Sequence, residues 1–379
     1  MIRISRRAAL ALPLAALAAP RIARAAPLTV IDALGRSVTL KAPPERIIVN
    51  FNFEEFTAVG GVDAWQKVVG YSRGLWADWR PSWYSRYLKP IPQLATLTDI
   101  GHTEDSTFSM EKVIAQRPDL VLLSEWGFNA LKEQIGQLDA LGIPYVIIDY
   151  NAQDPARHMA STRALGVVTG QTARGEALAA MYEQKIAELQ RRTAQAVAAT
   201  GGTRPKVYVE LGQGGAGVVG NTYWKSMWGR MIDLINADNI AAGKLAGAGN
   251  WGPLNPEFVI AANPDAVFIA ASSWVNRPAA VLTGFDIDAA TTRARLAPYA
   301  QRQGWDRLAA IRTGQLFAIE HGLSRALWDY TAMLFLAKSL WPAQMGDVDP
   351  VGELRRYHEQ WLPVAFEGSW MARLTDRQA

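Results

Sequence analysis

The sequence predicts an α/β fold in which two lobes, each with a mainly parallel sheet flanked by helices, are joined by one long, rigid α-helix. Three observations lead to this prediction. Short apolar segments alternate with helical ones, an uninterrupted helical pattern separates two such series, and part of the first series is repeated in the second. The length of 379 residues accommodates two lobes of ordinary size.

Strands separated by helices indicate parallel sheets with right-handed crossovers. Helical patterns lie between the apolar segments, for example over 111–115 and 129–141. The segments predicted to form strands are 46–49, 68–71, 119–123 and 145–148 in the first series, and 206–211, 266–270 and 315–319 in the second.

The linking helix is predicted over 171–200. Its apolar residues keep the spacing of a helix face, and two glycines then end it; at 1.5 Å per residue it extends for ~40 Å. The apolar face consists of Leu178, Met181, Tyr182, Ile186 and Leu189. The predicted organisation is therefore an amino-terminal lobe over 26–170, the linking helix over 171–200, and a carboxy-terminal lobe with an extension over 201–379.

An internal repeat supports a shared plan for the two lobes. Residues 109–124 align without a gap with 255–270, at an offset of 146 (257 − 111), and seven of the sixteen aligned pairs are identical. The identities include Glu111 with Glu257 and a Pro-Asp turn before each predicted strand. Convergence of two ordinary helix–turn–strand units explains the apolar identities, but the matched acid and turn favour a duplicated plan.

Residues 1–25 are typical of a cleaved export signal. Three arginines precede an apolar run over 8–19, and small residues at Ala23 and Ala25 predict cleavage before Ala26. The run is too short to span a bilayer. The route is either the general secretory one or, from Ser5 and the arginine pair after it, the twin-arginine one. An amphipathic first helix is the alternative. The protein is therefore expected in the periplasm.

Composition excludes several classes of function. The chain contains no cysteine, which excludes disulfides, thiolate metal sites and a lipid-modified cysteine, so an unanchored protein rather than a lipoprotein is expected. Subtracting the five arginines of the predicted signal from the 39 basic residues leaves 34 against 35 acidic ones. A near-neutral chain without a basic stripe does not favour nucleic acid. No later segment is apolar enough for stable membrane insertion.

Four segments carry a resemblance to a known family: VIDALGR (30–36), PERIIV (44–49), SMEKVIAQRPDLV (109–121) and IRTGQLFAI (311–319). In their order and spacing they resemble the periplasmic substrate-binding proteins of ATP-binding-cassette (ABC) importers for ferric siderophores, haem and cobalamin. The resemblance covers nearly all of the mature chain. It implies two α/β lobes joined by a helix, a ligand cleft between them, and an inner-membrane ABC permease as partner. A monomer is expected.

Two glutamates, Glu111 and Glu257, occupy equivalent places in the repeat. Ser109 and Asn255 precede them as candidate helix N-caps. An acid in a first turn also stabilises the helix dipole, which is the simpler interpretation. The resemblance implies a further role, because a glutamate at this place on each lobe meets arginines of the permease. The recurrence of the same acid favours permease docking.

Aromatic and arginine side chains follow the ends of predicted strands, where ligands of parallel α/β lobes are bound. Flat rings stack on planar or chelated ligands, and arginines pair with negative oxygens. For any single tryptophan, packing in the core is the alternative. The predicted ligand-binding set is Asn52, Tyr71, Arg73, Trp76, Trp79, Arg80, Trp126, Tyr150, Tyr223, Trp224, Trp274, His321 and Arg325.

Other motifs give no catalytic, metal or cofactor site. The glycine-rich segment 212–217 matches a dinucleotide fingerprint, but a weak helix start follows it, so a loop at the cleft rim is predicted instead. The four histidines show no metal-ligand spacing. No nucleophile elbow is present, because Ser324 lacks the glycine that should follow two residues later.

These observations favour a periplasmic solute-binding protein that captures a ferric siderophore and is not an enzyme. Haem or cobalamin is an alternative ligand, and a tyrosine or His321 could then bind iron. A molybdate-type oxyanion would need a smaller pocket rich in donors. An exported α/β enzyme and a ligand-free scaffold are the alternatives from other classes.

Overall fold

The structure is a computed structural model that describes residues 27–246 and 249–375. The predicted export signal over 1–25 lies outside the described residues. Within the described residues, no helix has both the length and the apolar character that crossing a membrane requires.

The strands and helices follow the alternation expected from the sequence. The strands are β1 (Leu28–Ile31), β2 (Ser37–Leu40), β3 (Ile47–Val49), β4 (Val68–Tyr71), β5 (Thr98–Asp99), β6 (Leu120–Ser124), β7 (Tyr145–Ile148), β8 (Lys206–Leu211), β9 (Asn221–Tyr223), β10 (Asp238–Asn239), β11 (Trp251–Pro253), β12 (Ala266–Ala271), β13 (Leu316–Glu320) and β14 (Met371–Arg373). The helices are α1 (Phe53–Gly60), α2 (Gly74–Ala77), α3 (Pro81–Leu88), α4 (Met110–Ala115), α5 (Glu125–Ala130), α6 (Lys132–Ala140), α7 (Pro155–Thr169), α8 (Thr172–Ala199), α9 (Met227–Leu234), α10 (Pro256–Ala262), α11 (Ala289–Leu296), α12 (Ala309–Arg312), α13 (Tyr330–Leu340) and α14 (Pro350–Trp361).

The amino-terminal lobe is built on a five-stranded sheet in the order β5-β4-β3-β6-β7, with every pair parallel. Its central strands are buried on both faces, as expected when helices cover both sides of a parallel sheet. The hairpin β1–β2 precedes the sheet. The helix predicted over 129–141 is interrupted, because Leu131 has a non-helical backbone (φ −100°, ψ 7°) between α5 and α6.

The carboxy-terminal lobe contains a second five-stranded sheet, in the order β10-β8-β12-β13-β14. Its pairs are parallel except β13–β14, where the chain end returns as an antiparallel edge strand. The extension after residue 347 therefore packs back onto this lobe, where Phe366 and Trp370 are buried. The predicted fold class is confirmed.

The linking helix is α8, 28 residues over Thr172–Ala199, within one residue of the predicted bounds at each end. Four of the five predicted apolar positions are buried, and Met181 is partly exposed. The extension braces this helix. Lys185 Nζ lies 2.9 Å from a carboxylate oxygen of Glu353 on α14, and the Arg174 guanidinium donates to carbonyls of both Ala58 and Trp361.

The sequence repeat is also a repeat of hydrogen bonds. Asp119 accepts from the backbone N–H of Arg46 at 2.9 Å, and Asp265 accepts from that of Lys206 at 2.7 Å, so each aspartate fixes the start of its lobe's first central strand. The side chain of that first residue donates to the carbonyl of Gln116 in one lobe and of Ala262 in the other. These acceptors also differ by 146 positions, which supports the duplicated plan.

The two lobes contact each other through α3. Trp83, which is 1% exposed, inserts from this helix into an aromatic cluster of the carboxy-terminal lobe, with ring centroids 5.0 Å from Phe285 and 5.3 Å from Trp370. One turn later, a guanidinium nitrogen of Arg86 lies 2.6 Å from a carboxylate oxygen of Asp286. The lobes thus share a buried apolar interface in addition to the linking helix.

This interface makes Trp83 a stability determinant of the whole molecule. We expect Trp83→Ala to lower the free energy of unfolding by about 3–5 kcal/mol, because it leaves a cavity among buried rings. Trp251→Ala, at a tryptophan that is 62% exposed, is the matched control and should change it by less than about 0.5 kcal/mol. Chemical denaturation measures both; equal effects of the two substitutions would contradict the interface.

Candidate functional site

A cavity of about 420 Å³ lies between the lobes, at the carboxyl ends of the parallel strands. Segments after β4 line it from the amino-terminal lobe, and segments at the ends of β8, β12 and β13 line it from the other. Its residues are Asp78, Trp79, Arg80, Leu211, Gln213, Ser272, Trp274, Val275, Arg277, His321 and Arg325. Five of the thirteen predicted ligand-binding residues are in this set: Trp79, Arg80, Trp274, His321 and Arg325.

The wall from the amino-terminal lobe is organised by Arg80. This residue precedes Pro81, which begins α3, so its position is fixed by the helix that docks the lobes. Its guanidinium forms an ion pair with Glu54 at 2.6 Å and lies over the Trp83 ring at 4.0 Å from the centroid. Trp79, 40% exposed, presents an accessible indole beside it.

The wall from the carboxy-terminal lobe begins where β13 ends. Glu320 is buried and accepts from Ser272 Oγ at 3.0 Å and from the Leu323 backbone N–H at 3.2 Å. The residue at 322 must be small, because a Cβ on Gly322 would lie 2.8 Å from the Glu320 carboxylate and 3.1 Å from the Arg80 guanidinium. This close approach lets Arg80 reach the opposite lobe, and burial raises the pKa of Glu320.

His321 contributes an imidazole to the same wall. Its Nδ1 accepts a hydrogen bond from the indole N–H of the fully buried Trp228 at 3.1 Å. Burial, and then the nearby charges of Arg325 and Arg80, lower the pKa of His321 well below its usual value. The ring is therefore neutral at physiological pH.

The cavity has an excess of positive charge. In the part of the chain that the structure describes, Arg325 forms no ion pair with a carboxylate. The buried Nε of its guanidinium also has no hydrogen-bond partner there. Arg277 adds a positive charge at the exposed rim of the cavity, and Asp78, also exposed, is the one acidic residue of the lining set. A ligand with negative oxygens would supply the partners that these guanidinium groups lack.

Two predicted aromatic residues belong to the core instead of the cavity. Trp76 is fully buried, with its ring stacked 5.0 Å from Phe53 and 5.8 Å from Trp65. Tyr71 is also fully buried, and its hydroxyl donates to the Leu94 carbonyl at 2.8 Å. The chain turns into α2 directly after β4, so these rings face inward and only Trp79 and Arg80 reach the cavity.

Two further predicted residues are buried within the amino-terminal lobe. Tyr150 is buried against Thr162, with hydroxyl oxygens 2.9 Å apart. Asn52 is buried in a left-handed conformation (φ 59°) at the start of α1. Neither lines the cavity, because the local turn after each strand directs the side chain into the lobe.

The remaining four predicted residues are not among those that line the cavity. The Arg73 guanidinium donates to the Leu97 carbonyl, and Trp126 packs edge-on against Phe51 at 5.4 Å. Tyr223 is buried with its ring centroid 5.9 Å from that of His321, and Lys225 lies over the ring of Trp224. Tyr223 thus packs against the His321 ring without lining the cavity itself.

Sequence reasoning missed several lining residues, chiefly Asp78, Ser272, Val275 and Arg277. Each lies within three residues of a predicted one, so extending every strand-end segment by one turn would have included them. Gln213 belongs to the glycine-rich segment, which forms a 3₁₀ turn over Gly212–Gly214 and continues into β9, with no helix in between. Gln213 of this segment lines the cavity, whereas Tyr223 and Trp224, which follow it, do not.

The cavity offers flat rings and hydrogen-bond donors to a ligand. Across 27–246 and 249–375, no group of three or more His, Asp or Glu side chains is arranged to hold a metal ion. Indoles, guanidinium groups and an imidazole N–H can stack on a ligand and donate hydrogen bonds to it.

Glu111 and Glu257 lie away from the cavity, at the other end of the duplicated units. Both are exposed in the first turns of α4 and α10. The predicted N-caps are confirmed: Ser109 Oγ accepts from the Lys112 N–H at 3.1 Å, and the Asn255 side chain accepts from the Glu257 N–H at 2.8 Å.

Comparison with known proteins agrees with this arrangement. The family described as "periplasmic binding protein" matches residues 49–321, which include β4 to β13, the linking helix α8 and every residue that lines the cavity except Arg325. The chain belongs to the periplasmic binding protein family. The expected family is thereby confirmed, and it is a family of binding proteins and not of enzymes.

Individual relatives cover most of this binding protein. A solved structure from Veillonella parvula, described as the TroA-like periplasmic binding protein FepB, has a TM-score of 0.85 at 28% identity and covers 92% of this chain and 100% of its own. An uncharacterized ABC transporter substrate-binding lipoprotein of Bacillus subtilis, YvrC, is 22% identical over 78% of this chain and 79% of the relative. Because that relative is named a lipoprotein, the comparison does not support the expectation of an unanchored protein.

A third relative is a cobalamin-binding protein of Halobacterium salinarum. It is 27% identical over 249 residues, which are 65% of this chain and 59% of the relative. The chain therefore spans less than two thirds of that protein's length.

A buried acid on α1 is protonated at neutral pH. Glu55 on α1 is 1% exposed; its Oε1 accepts from the Leu327 N–H at 3.3 Å, and its Oε2 is buried without a partner. Burial, and then the charge of Glu54, raise the pKa of Glu55 to about 8. A folded-state pKa above the unfolded value means that stability is lost as the pH rises toward 8.

We therefore expect the free energy of unfolding to fall between pH 6.5 and 8. His158, whose pKa burial lowers to about 4, acts oppositely but only below pH 6.5. Glu55→Gln should reduce the slope by as much as about 1.4 kcal/mol per pH unit. Denaturant titrations across this window measure the slope, and Glu104→Gln, at an exposed acid, is the control. An unchanged slope in Glu55→Gln would show that Glu55 is ionised throughout.

Proposed function

We propose that this protein captures an anionic metal chelate, specifically a ferric siderophore, in the periplasm and delivers it to an inner-membrane ABC permease. The observation that carries the proposal is the cavity, which combines two accessible indoles with three guanidinium groups and contains no metal-binding cluster of its own among the described residues. A metal ion would therefore arrive inside its chelator.

The size of the cavity favours a chelate over a bare oxyanion. At about 420 Å³ it falls within the range of ~300–1,000 Å³ that is typical of pockets for drug-sized molecules. A tetrahedral oxyanion would leave most of this volume to water and would not use the rings of Trp79 and Trp274.

The lobe interface favours a preformed site. Trp83 and Arg86 hold the lobes together beside the cavity, and α8 joins them rigidly. Binding then requires little ordering of the protein, so more of the contact energy appears as affinity.

The role of carrier rests on the exposed glutamates. Glu111 and Glu257 occupy equivalent positions on the two lobes, and the repeat preserves them together with the Pro-Asp turns. Two separated carboxylates suit recognition of a partner with two basic patches, where they set orientation and association rate. The Bacillus relative, named as an ABC transporter substrate-binding protein, supports a permease as that partner.

The ligand prediction is tested by tryptophan fluorescence of the purified exported protein. A ferric siderophore should quench emission in a saturable manner, because Trp79 and Trp274 lie in the cavity. Trp79→Phe and Trp274→Phe should each reduce the amplitude, whereas Trp251→Phe, outside the cavity, should not. Quenching by cobalamin alone would mean that the ligand is cobalamin, as in the name of the Halobacterium relative, and not a ferric siderophore. Flat titrations with ferric chelates, haem, cobalamin and molybdate would contradict it.

The docking prediction is tested by charge reversal. We expect Glu111→Lys with Glu257→Lys to abolish uptake of the chelate by cells while its affinity for the purified protein stays unchanged, because both residues are exposed and distant from the lining set. Glu133→Lys, which reverses another exposed first-turn acid, on α6, is the matched control and should leave uptake intact. Normal uptake by the double variant would remove the docking role.

A further inference from the structure

The hydrogen bond between Trp228 and His321 determines what the cavity offers to a ligand. An indole N–H can only donate, so the Nδ1 that faces it at 3.1 Å must be unprotonated. A neutral imidazole carries one proton, which must then be on Nε2. A doubly protonated ring would place an N–H against the indole N–H, so the contact itself excludes imidazolium.

The surroundings hold this ring in place. Trp228 is fully buried on α9, and the rings of Tyr223 and Trp274 lie 5.9 and 6.5 Å from that of His321. Because Nδ1 is directed to Trp228 and His321 lines the cavity, the Nε2 edge is the one left for a ligand. The nearby guanidinium groups of Arg80 and Arg325 oppose any added proton.

We propose that Trp228 is a positioning residue that makes His321 a hydrogen-bond donor and prevents it from binding a metal. Resting on the proposed function, this inference narrows the substrate class to chelates whose metal is already fully coordinated and whose outer oxygens accept from Nε2–H and the arginines. Ligands that need a protein side chain to complete the metal's coordination, such as haem or a tetradentate ferric chelate, gain no bond from His321.

The tautomer is tested directly by nitrogen NMR of the histidine side chains, of which the chain has only four. The expected result for His321 in the purified protein is an unprotonated Nδ1 and a protonated Nε2. A proton on Nδ1, or on both nitrogens, at neutral pH would overturn the inference. This measurement needs no ligand, so it is decisive even if the proposed function fails.

The substrate class is tested with two probes, the ferric complexes of a hexadentate tricatecholamide and of a tetradentate biscatecholamide. The wild-type protein should bind the hexadentate complex more tightly, and binding should leave the visible charge-transfer band of the tetradentate complex unshifted. A band shift in the wild type, reporting a new nitrogen ligand on iron, would overturn the inference. Binding of neither probe would contradict the proposed function and not the tautomer.

Variants separate positioning from general structure. Trp228→Phe removes the indole donor and frees Nδ1 to take the proton, so binding the tetradentate complex should now shift its band and tighten at least tenfold. The further change His321→Gln should abolish that gain. In the wild-type background, His321→Gln places an amide N–H near the Nε2 position and should retain affinity for the hexadentate complex, whereas His321→Leu should lose about tenfold. Equal losses in these two variants would contradict the donor role.

Discussion

The docking of α3 against the carboxy-terminal lobe is the contact on which the site depends. Arg80 and Trp83 are one helical turn apart, and the guanidinium of the first lies over the ring of the second. Trp83 is buried among rings of the other lobe, so the packing that joins the lobes also fixes the cation at the cavity. Glu54, in the same lobe as Arg80, forms an ion pair with its guanidinium. Gly322, in the opposite lobe, has no side chain and so leaves room for the guanidinium to approach.

This arrangement explains why a cavity rich in cations is tolerated. Burying a guanidinium is unfavourable unless it is paired, and Arg80 has its pair in Glu54 while Arg325 has none within the described chain. The unpaired charge is held in place by the folded lobes, and a ligand anion would relieve it. An unpaired buried charge lowers the stability of the folded protein. Pairing that charge with a ligand anion then contributes to the free energy of binding.

The sequence predicted the framework closely because the framework is repetitive. Parallel strands buried on both faces appear as apolar runs, and α8 shows a regular helix face, so both could be located to within a residue or two. The site was harder to predict. Trp76 and Trp79 are three residues apart and look alike in the sequence, yet the first packs against Phe53 and Trp65 in the core and the second borders the cavity. That difference is set by the turn into α2 and by packing across the lobes, which no local pattern encodes.

The two lobes are alike at the amino ends of their central strands and differ at the carboxyl ends. At the amino ends of the strands, Asp119 and Asp265 make the same hydrogen bonds, and Glu111 and Glu257 begin equivalent helices. At the carboxyl ends the equivalent segments differ: α1 follows β3 whereas a 3₁₀ turn over Gly212–Gly214 follows β8, and α5 follows β6 directly whereas no helix begins between β12 and α11. A symmetric partner surface needs matched groups on both lobes, whereas an asymmetric ligand needs different groups from each. The duplicated plan therefore keeps the end at which we propose that the permease docks and varies the end that lines the cavity.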